Sequence, residues 1–213
     1  MSANRKTRST APGSFHAMGP GGLSAEAFAR WYREEILNQW QSLDLKAVSR
    51  AASAIVEAQE KGRQVFVIGN GGSAATASHL ATDLSKTAEA PGWPLLKCLS
   101  WTDNASFITA IGNDLSFDKI FTRQLENLLS PKDIVILISG SGNSGNLLEA
   151  ARYANKRGAL TIGLLGFDGG RLKPLVKIPL LVSSEQYGVI EDLHMGIGHV
   201  LAFFLKQRRS RAS

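Results

Sequence analysis

A single cysteine, Cys98, leaves the 213-residue chain without an internal disulfide, so its stability has to come from a packed core. Cys98 lies in the apolar run "LLKCLS", where a buried, inert thiol is expected rather than a nucleophile. No uninterrupted apolar run approaches about 20 residues, which argues against a transmembrane span and a membrane partner. The basic N-terminus continues into "STAPGSFHAMGPGG" rather than an apolar stretch, so no secretory signal is expected and the cytoplasm is the expected address. Acidic residues are missing from both ends. Residues 1–23 carry Arg5, Lys6 and Arg8, and residues 206–213 carry Lys206, Arg208, Arg209 and Arg211, against no acid; without these seven the formal charge of +6 becomes −1. A nearly neutral body with basic ends does not describe a groove for a phosphate backbone, and no nucleic-acid partner is expected.

What is present suits one compact domain with 44% hydrophobic and 20% charged residues. Residues 1–23, rich in Ser, Gly and Pro, read as a disordered basic tail, and 208–213 as a second one. Between them a single domain is expected over 24–207. Ser24 caps a helix in which Phe28, Trp31, Tyr32, Ile36 and Trp40 recur at three- and four-residue spacing, and a second helix follows from about Asp44, so that 24–62 is helical. The aromatic face is either ordinary core or a subunit contact.

Over 63–207 short apolar runs alternate with helical stretches. The runs are "VFVIG", "LLKCLS", "IVILIS", "LTIGLLG" and "IPLLVS", each almost wholly apolar, as parallel strands covered on both faces require. Helical segments are expected after Ser73, from Asp103 through Leu129, from Ser144 to Lys156 and from Tyr187 to Gln207. Strict alternation predicts an α/β fold: a three-layer αβα sandwich around a doubly wound, five-stranded parallel sheet, with ligands beyond the carboxyl ends of the strands.

Two strand ends carry glycine-rich loops. The first, Gly69-Asn70-Gly71-Gly72-Ser73-Ala74, satisfies a dinucleotide-binding spacing, but the acid that should hold a ribose about 20 residues on is absent, since the second strand's first acid is Asp103. No nucleotide cofactor is expected. The loop instead lets backbone approach a ligand, with Asn70 beside it and a helix behind that exposes Thr76, His79 and Asp83. The third strand ends in "ISGSGNSGN". Ser139, Ser141 and Ser144 offer hydroxyls, Gly140, Gly142 and Gly145 free the backbone, and a helix N-terminus near Ser144 aims N–H groups at the same place, which describes a phosphate cradle. Without the lysine of a P-loop it suits a sugar phosphomonoester better than a nucleoside triphosphate. A flexible Ser/Gly turn has the same composition.

Titratable groups cluster on two helices. His79 and Asp83 stand at i and i+4 and share a face. The last helix carries Glu191, Asp192, His194 and His199, and the step from Glu191 to His199 turns roughly 80° about a 3.6-residue helix. Two imidazoles and two carboxylates suit zinc or another divalent metal, or an acid–base pair, or a satisfied polar cluster.

With "GNGGSAATASHLATDL", "GNDLSFDKIF", "ISGSGNS", "GFDGGRLKPL" and "IEDLHMGIGH" in hand, the chain from about Leu23 to Gln207 resembles the sugar isomerase (SIS) domain family, in its phosphoheptose isomerase branch. The resemblance implies a flavodoxin-like SIS domain with an N-terminal helical extension. It also implies interconversion of sedoheptulose 7-phosphate and D-glycero-D-manno-heptose 7-phosphate, and a homotetramer with active sites between subunits. Matched by position, Asn70, Gly71, Gly72, Asn113 and Asp114 line the sugar site, Ser139, Gly140, Ser141 and Ser144 bind phosphate, and His79, Asp83, Glu191 and His199 fall at the zinc ligands. Two of those ligands double as catalytic groups: His199 with Asp83 or Glu191, of which Glu191 also meets substrate. The family usually has glutamate at Asp83 and glutamine at Glu191; a displacement of about 1 Å can cost on the order of 100-fold in rate, so the shorter Asp83 matters. Three other readings stay open: an isomerase of another heptose or octose phosphate, a non-catalytic SIS module of the kind that associates with a replication initiator, and a nicotinamide-dependent oxidoreductase.

Overall fold

A computed structural model describes residues 19–208; the expected basic tails lie outside the described residues over 1–18 and 209–213. Two helices come first, α1 (Ala25–Ser42) and α2 (Leu45–Glu60). Both start where the sequence offers a cap: the Ser24 hydroxyl accepts from the Ala27 amide, and the Asp44 carboxylate accepts from Lys46 and Ala47. The remainder alternates β1 (Gln64–Gly69), α3 (Gly72–Thr82), β2 (Lys97–Ser100), α4 (Ala105–Asp114), α5 (Thr122–Leu128), β3 (Ile134–Ser139), α6 (Gly145–Lys156), β4 (Leu160–Gly166), β5 (Ile178–Val182) and α7 (Tyr187–Lys206).

All strand pairs are parallel, in the order β2-β1-β3-β4-β5. The five apolar runs are buried because helices cover both faces. On one face Val65, Val67, Ile136, Leu164 and Leu180 pack against α2, α3 and α7. On the other Phe66, Ile68, Val135 and Leu137 meet α5 and α6. The chain reverses direction across the sheet between β1 and β3, and the crevice at their carboxyl ends is where a doubly wound sheet binds ligands. There Gly69 pairs with Ile138, so the loop at Asn70 lies beside Ser139.

Two expectations need correction. The helical stretch 103–129 is interrupted: Leu115 leaves helical backbone, Ser116 is extended, and a 3-10 turn (Phe117–Lys119) precedes α5. The break turns Ile120, Phe121 and Leu125 into the core. The aromatic face of α1 is core only in part: Tyr32, Ile36 and Trp40 pack, half-buried, against the core beneath α7, while Phe28 remains 39% exposed. Among the described residues α7 is long and apolar enough, by length and composition alone, to cross a membrane, but half of that stretch is buried on the sheet, as in a core helix.

Candidate active site

The serine loop after β3 is a built cavity. Ser139 is buried and its hydroxyl accepts from the Gly142 amide, while Gly142 has φ +65° and approaches the Gly169 carbonyl so closely that a Cβ would lie 2.1 Å from it. Ser141 accepts from the Asn143 amide, and Asn143 is fixed in turn by the Arg171 amide and guanidinium. Ser144 occupies the N-cap position of α6 without spending its hydroxyl on the helix. Together with Asn70, Gly140 and Glu191 these serines line a cavity of about 210 Å³. Hydroxyls, freed backbone and a helix N-terminus there suit an anion.

Two contributors had no signal in the sequence reading. Asn146, buried at the start of α6, exchanges two 2.9 Å hydrogen bonds with the Asn70 amide and so ties the β1 loop to the serine loop. Tyr187, the first residue of α7, forms one wall. Nothing local marks either residue, since Asn146 finds its partner 76 positions away.

The titratable groups meet where α3 packs against α7. Gly198 makes that approach possible, since a Cβ there would already sit 3.2 Å from Leu80. His79 and His199 present Nε2 atoms 3.0 Å apart, and Asp83 Oδ2 lies 3.2 Å from His79 Nε2 and 3.6 Å from His199 Nε2. Donors on a tetrahedral zinc with bonds of about 2.0–2.1 Å are separated by about 3.3 Å, so these three atoms fit such an ion and leave a position open. Asp83 begins a π-helical turn (Asp83–Thr87), the kind of local irregularity that recurs at functional sites. Thr76, expected beside them on the exposed surface, is buried and bonds back to the Gly72 carbonyl.

Glu191, expected as a fourth ligand, is not in this group. It stands two turns before His199, about 12 Å along the helix axis at 1.5 Å per residue, and its carboxylate lies against Gly72 at the mouth of the serine cavity. Asn113 and Asp114 are not among the residues lining that cavity; they end α4 in exposed positions, with the Asn113 amide donating to the Asp114 carboxylate. His194 faces the sheet instead. It is fully buried, burial pushes its imidazole down to about 4, and the Leu165 backbone offsets this in part without reaching hydrogen-bond geometry, so neither ring nitrogen has a partner. Burial likewise pushes the Cys98 thiol up, in keeping with an inert cysteine.

The fold and this pair of sites define a class. The family model of the SIS domain matches residues 31–166, and the chain belongs to that family, in its phosphoheptose isomerase branch. A phosphoheptose isomerase of Trichlorobacter lovleyi is 40% identical over 162 residues, covering 75% of this chain and 81% of that one. A probable phosphoheptose isomerase of Thermoplasma acidophilum is 36% identical over 180 residues, covering 84% and 98%. Among solved structures, a phosphoheptose isomerase from Francisella tularensis superposes with a TM-score of 0.78 at 30% identity, covering 86% of this chain and 96% of that one.

Proposed function

We propose that the protein is an aldose–ketose isomerase that interconverts sedoheptulose 7-phosphate and D-glycero-D-manno-heptose 7-phosphate. One observation carries the reading: the α3–α7 seam runs from the serine cavity, past Glu191 and Gly72, to the His79–Asp83–His199 group. With the phosphate held by Ser139, Ser141, Ser144 and the N-terminus of α6, the carbonyl end of a seven-carbon chain points along this seam toward the imidazoles. Asn70 and the backbone at Gly71 and Gly72 border the sugar, and Glu191 accepts from its hydroxyls.

In this reading Asp83 takes the proton from the carbon beside the carbonyl, giving an enediol, and returns it to the neighbouring carbon. His199 moves the second proton from one substrate oxygen to the other. Of the two carboxylates left open above, Asp83 is favoured because it lies within 3.6 Å of His199, whereas Glu191 sits two turns away. His79, Asp83 and His199 would hold a divalent cation such as zinc, whose chemistry is to polarise a substrate oxygen. No nucleotide takes part.

The half-exposed imidazoles, 48% for His79 and 43% for His199, support active sites completed by a neighbouring subunit. So do the exposed Phe28 and Leu37 on α1 and Val200, Phe203 and Phe204 on α7, and we assign a homotetramer. A single SIS domain over 24–207 and a cytoplasmic address, as for soluble metabolic enzymes of this family, complete the proposal. A non-catalytic binding module is not favoured, because the three reactive side chains are present and convergent.

Sedoheptulose 7-phosphate incubated in deuterated water, with and without added zinc, tests it by NMR. Signals of the aldose and solvent deuterium at the carbon adjoining its carbonyl are expected. Tight binding of the sugar phosphate with no carbon-bound deuterium and no aldose in either sample would remove the isomerase reading.

A further inference from the structure

The serine cavity has a larger neighbour. A second cavity of about 810 Å³ opens at the ends of β4 and β5, lined by Asn143, Phe167, Asp168 and Lys173 among others, and the two share only Ser141 and Tyr187. The Tyr187 ring divides them. One of its edges lies over Gly140, where a Cβ would stand 2.8 Å from Tyr187 Cε1, so the ring packs directly on the backbone of the serine loop. Its other side meets Phe167 edge to face, with centroids 5.1 Å apart and planes at 69°. Phe167 holds a left-handed backbone conformation, φ +50°, that large side chains seldom adopt, and its amide donates to the Ser184 carbonyl. The partition is therefore braced from both sides.

We propose that Tyr187 is a specificity-determining wall that restricts the serine cavity to terminal phosphomonoesters. The inference rests on the assignment of that cavity to the substrate phosphate. A phosphomonoester ends at its three terminal oxygens, which the hydroxyls and amides of the loop receive. A further substituent on phosphorus that leaves toward the larger cavity, as in a phosphodiester or a pyrophosphate-linked sugar, meets the tyrosine ring. Removing the ring joins the cavity to the 810 Å³ space, which accommodates such a substituent beside Lys173.

The test compares binding of sedoheptulose 7-phosphate and of its methyl phosphodiester to the parent protein and to Tyr187→Ala, Tyr187→Leu and Tyr187→Phe, by calorimetry, with thermal melting as the check on folding. The charge lost on esterification is the same for every protein, so it cancels in the comparison. The parent is expected to prefer the monoester. Replacement by Ala or Leu is expected to narrow that preference at least about tenfold by gain of diester binding, the scale of one methyl group admitted or refused by a pocket. Tyr187→Phe, which keeps the ring, retains the parent ratio. A parent that binds both ligands equally, or an unchanged ratio in Ala and Leu variants that still bind monoester, would overturn the wall. So would loss of monoester binding in both variants with melting intact, since the ring would then be a ligand contact. If Ser141→Ala leaves monoester binding untouched, the phosphate assignment falls and takes the wall with it; an unchanged Tyr187 ratio alongside a sensitive Ser141 removes the wall alone.

Discussion

At the scale of single residues the chemistry turns on which carboxylate is placed to move a proton. Asp83 is only 13% exposed and reaches both imidazoles, whereas Glu191 borders the serine cavity. Asp83→Asn and His199→Ala are each expected to reduce isomerisation by 10²–10⁴-fold, roughly the contribution of a positioned acid or base, while sugar-phosphate affinity changes little. Glu191→Gln is expected to change kcat and KM by no more than a few-fold, because an amide still bonds sugar hydroxyls. Steady-state kinetics with deuterium wash-in measures both, and a collapse of exchange in Glu191→Gln with near-normal exchange in Asp83→Asn would reverse the assignment. His194 offers a second residue-scale prediction. Its folded pKa, about 4, lies below the ordinary histidine value of 6.5, so the unfolded chain binds the additional proton between those limits. Stability from this group is complete above about pH 6.5, declines as pH falls toward 4, and changes no further below; its full size is on the order of 3 kcal/mol. Urea unfolding at pH 7.5 and 4.5 should show a smaller acid loss for His194→Leu than for the parent.

At the scale of elements, α1 is laid along α7 by a repeated device. Tyr32 packs on Gly188 and Trp40 on Gly196, eight residues apart on both helices, and the Tyr32 hydroxyl donates to Asp192 at 2.7 Å. Burial and that carboxylate together push the phenol above its usual range. Because α7 carries Glu191 and His199 at the same eight-residue interval, this docking sets the height of the reactive side chains against α3. A Cβ on Gly196 would meet Trp40 at 2.6 Å. Gly196→Ala is therefore expected to destabilise by about 1–2 kcal/mol, overpacking set against improved helix propensity. In a Trp40→Ala background the same change should become stabilising. Equal effects in both backgrounds, measured by urea unfolding, would show that the indole is not the obstacle.

At the scale of the whole molecule, the described residues leave apolar side chains uncovered on α1 and α7, with Phe203 52% exposed beside His199. Sedimentation of the parent is expected to give a tetramer. Leu37→Glu combined with Phe203→Glu is expected to yield smaller species that keep their circular dichroism and lose most turnover. Sedimentation of the parent as a monomer would dismiss both the tetramer and the shared active site.

Much of this was legible one residue at a time. Uninterrupted apolar runs specify strands covered on both faces, Ser24 and Asp44 specify helix starts, and "ISGSGNSGN" specifies a tight glycine-rich loop between strand and helix, because each depends on local backbone preference and on the period of burial. The pairing of His79 with Asp83 follows from helical spacing. Other features depend on contacts between segments remote in sequence, which no local pattern encodes. Only packing of α3 on α7 decided that His199 meets that pair while Glu191, with equal claim by type and spacing, turns to the serine cavity. Only the tertiary structure stood Tyr187 over Gly140 and drew His194 into the core, since both outcomes depend on where α7 comes to rest on the sheet.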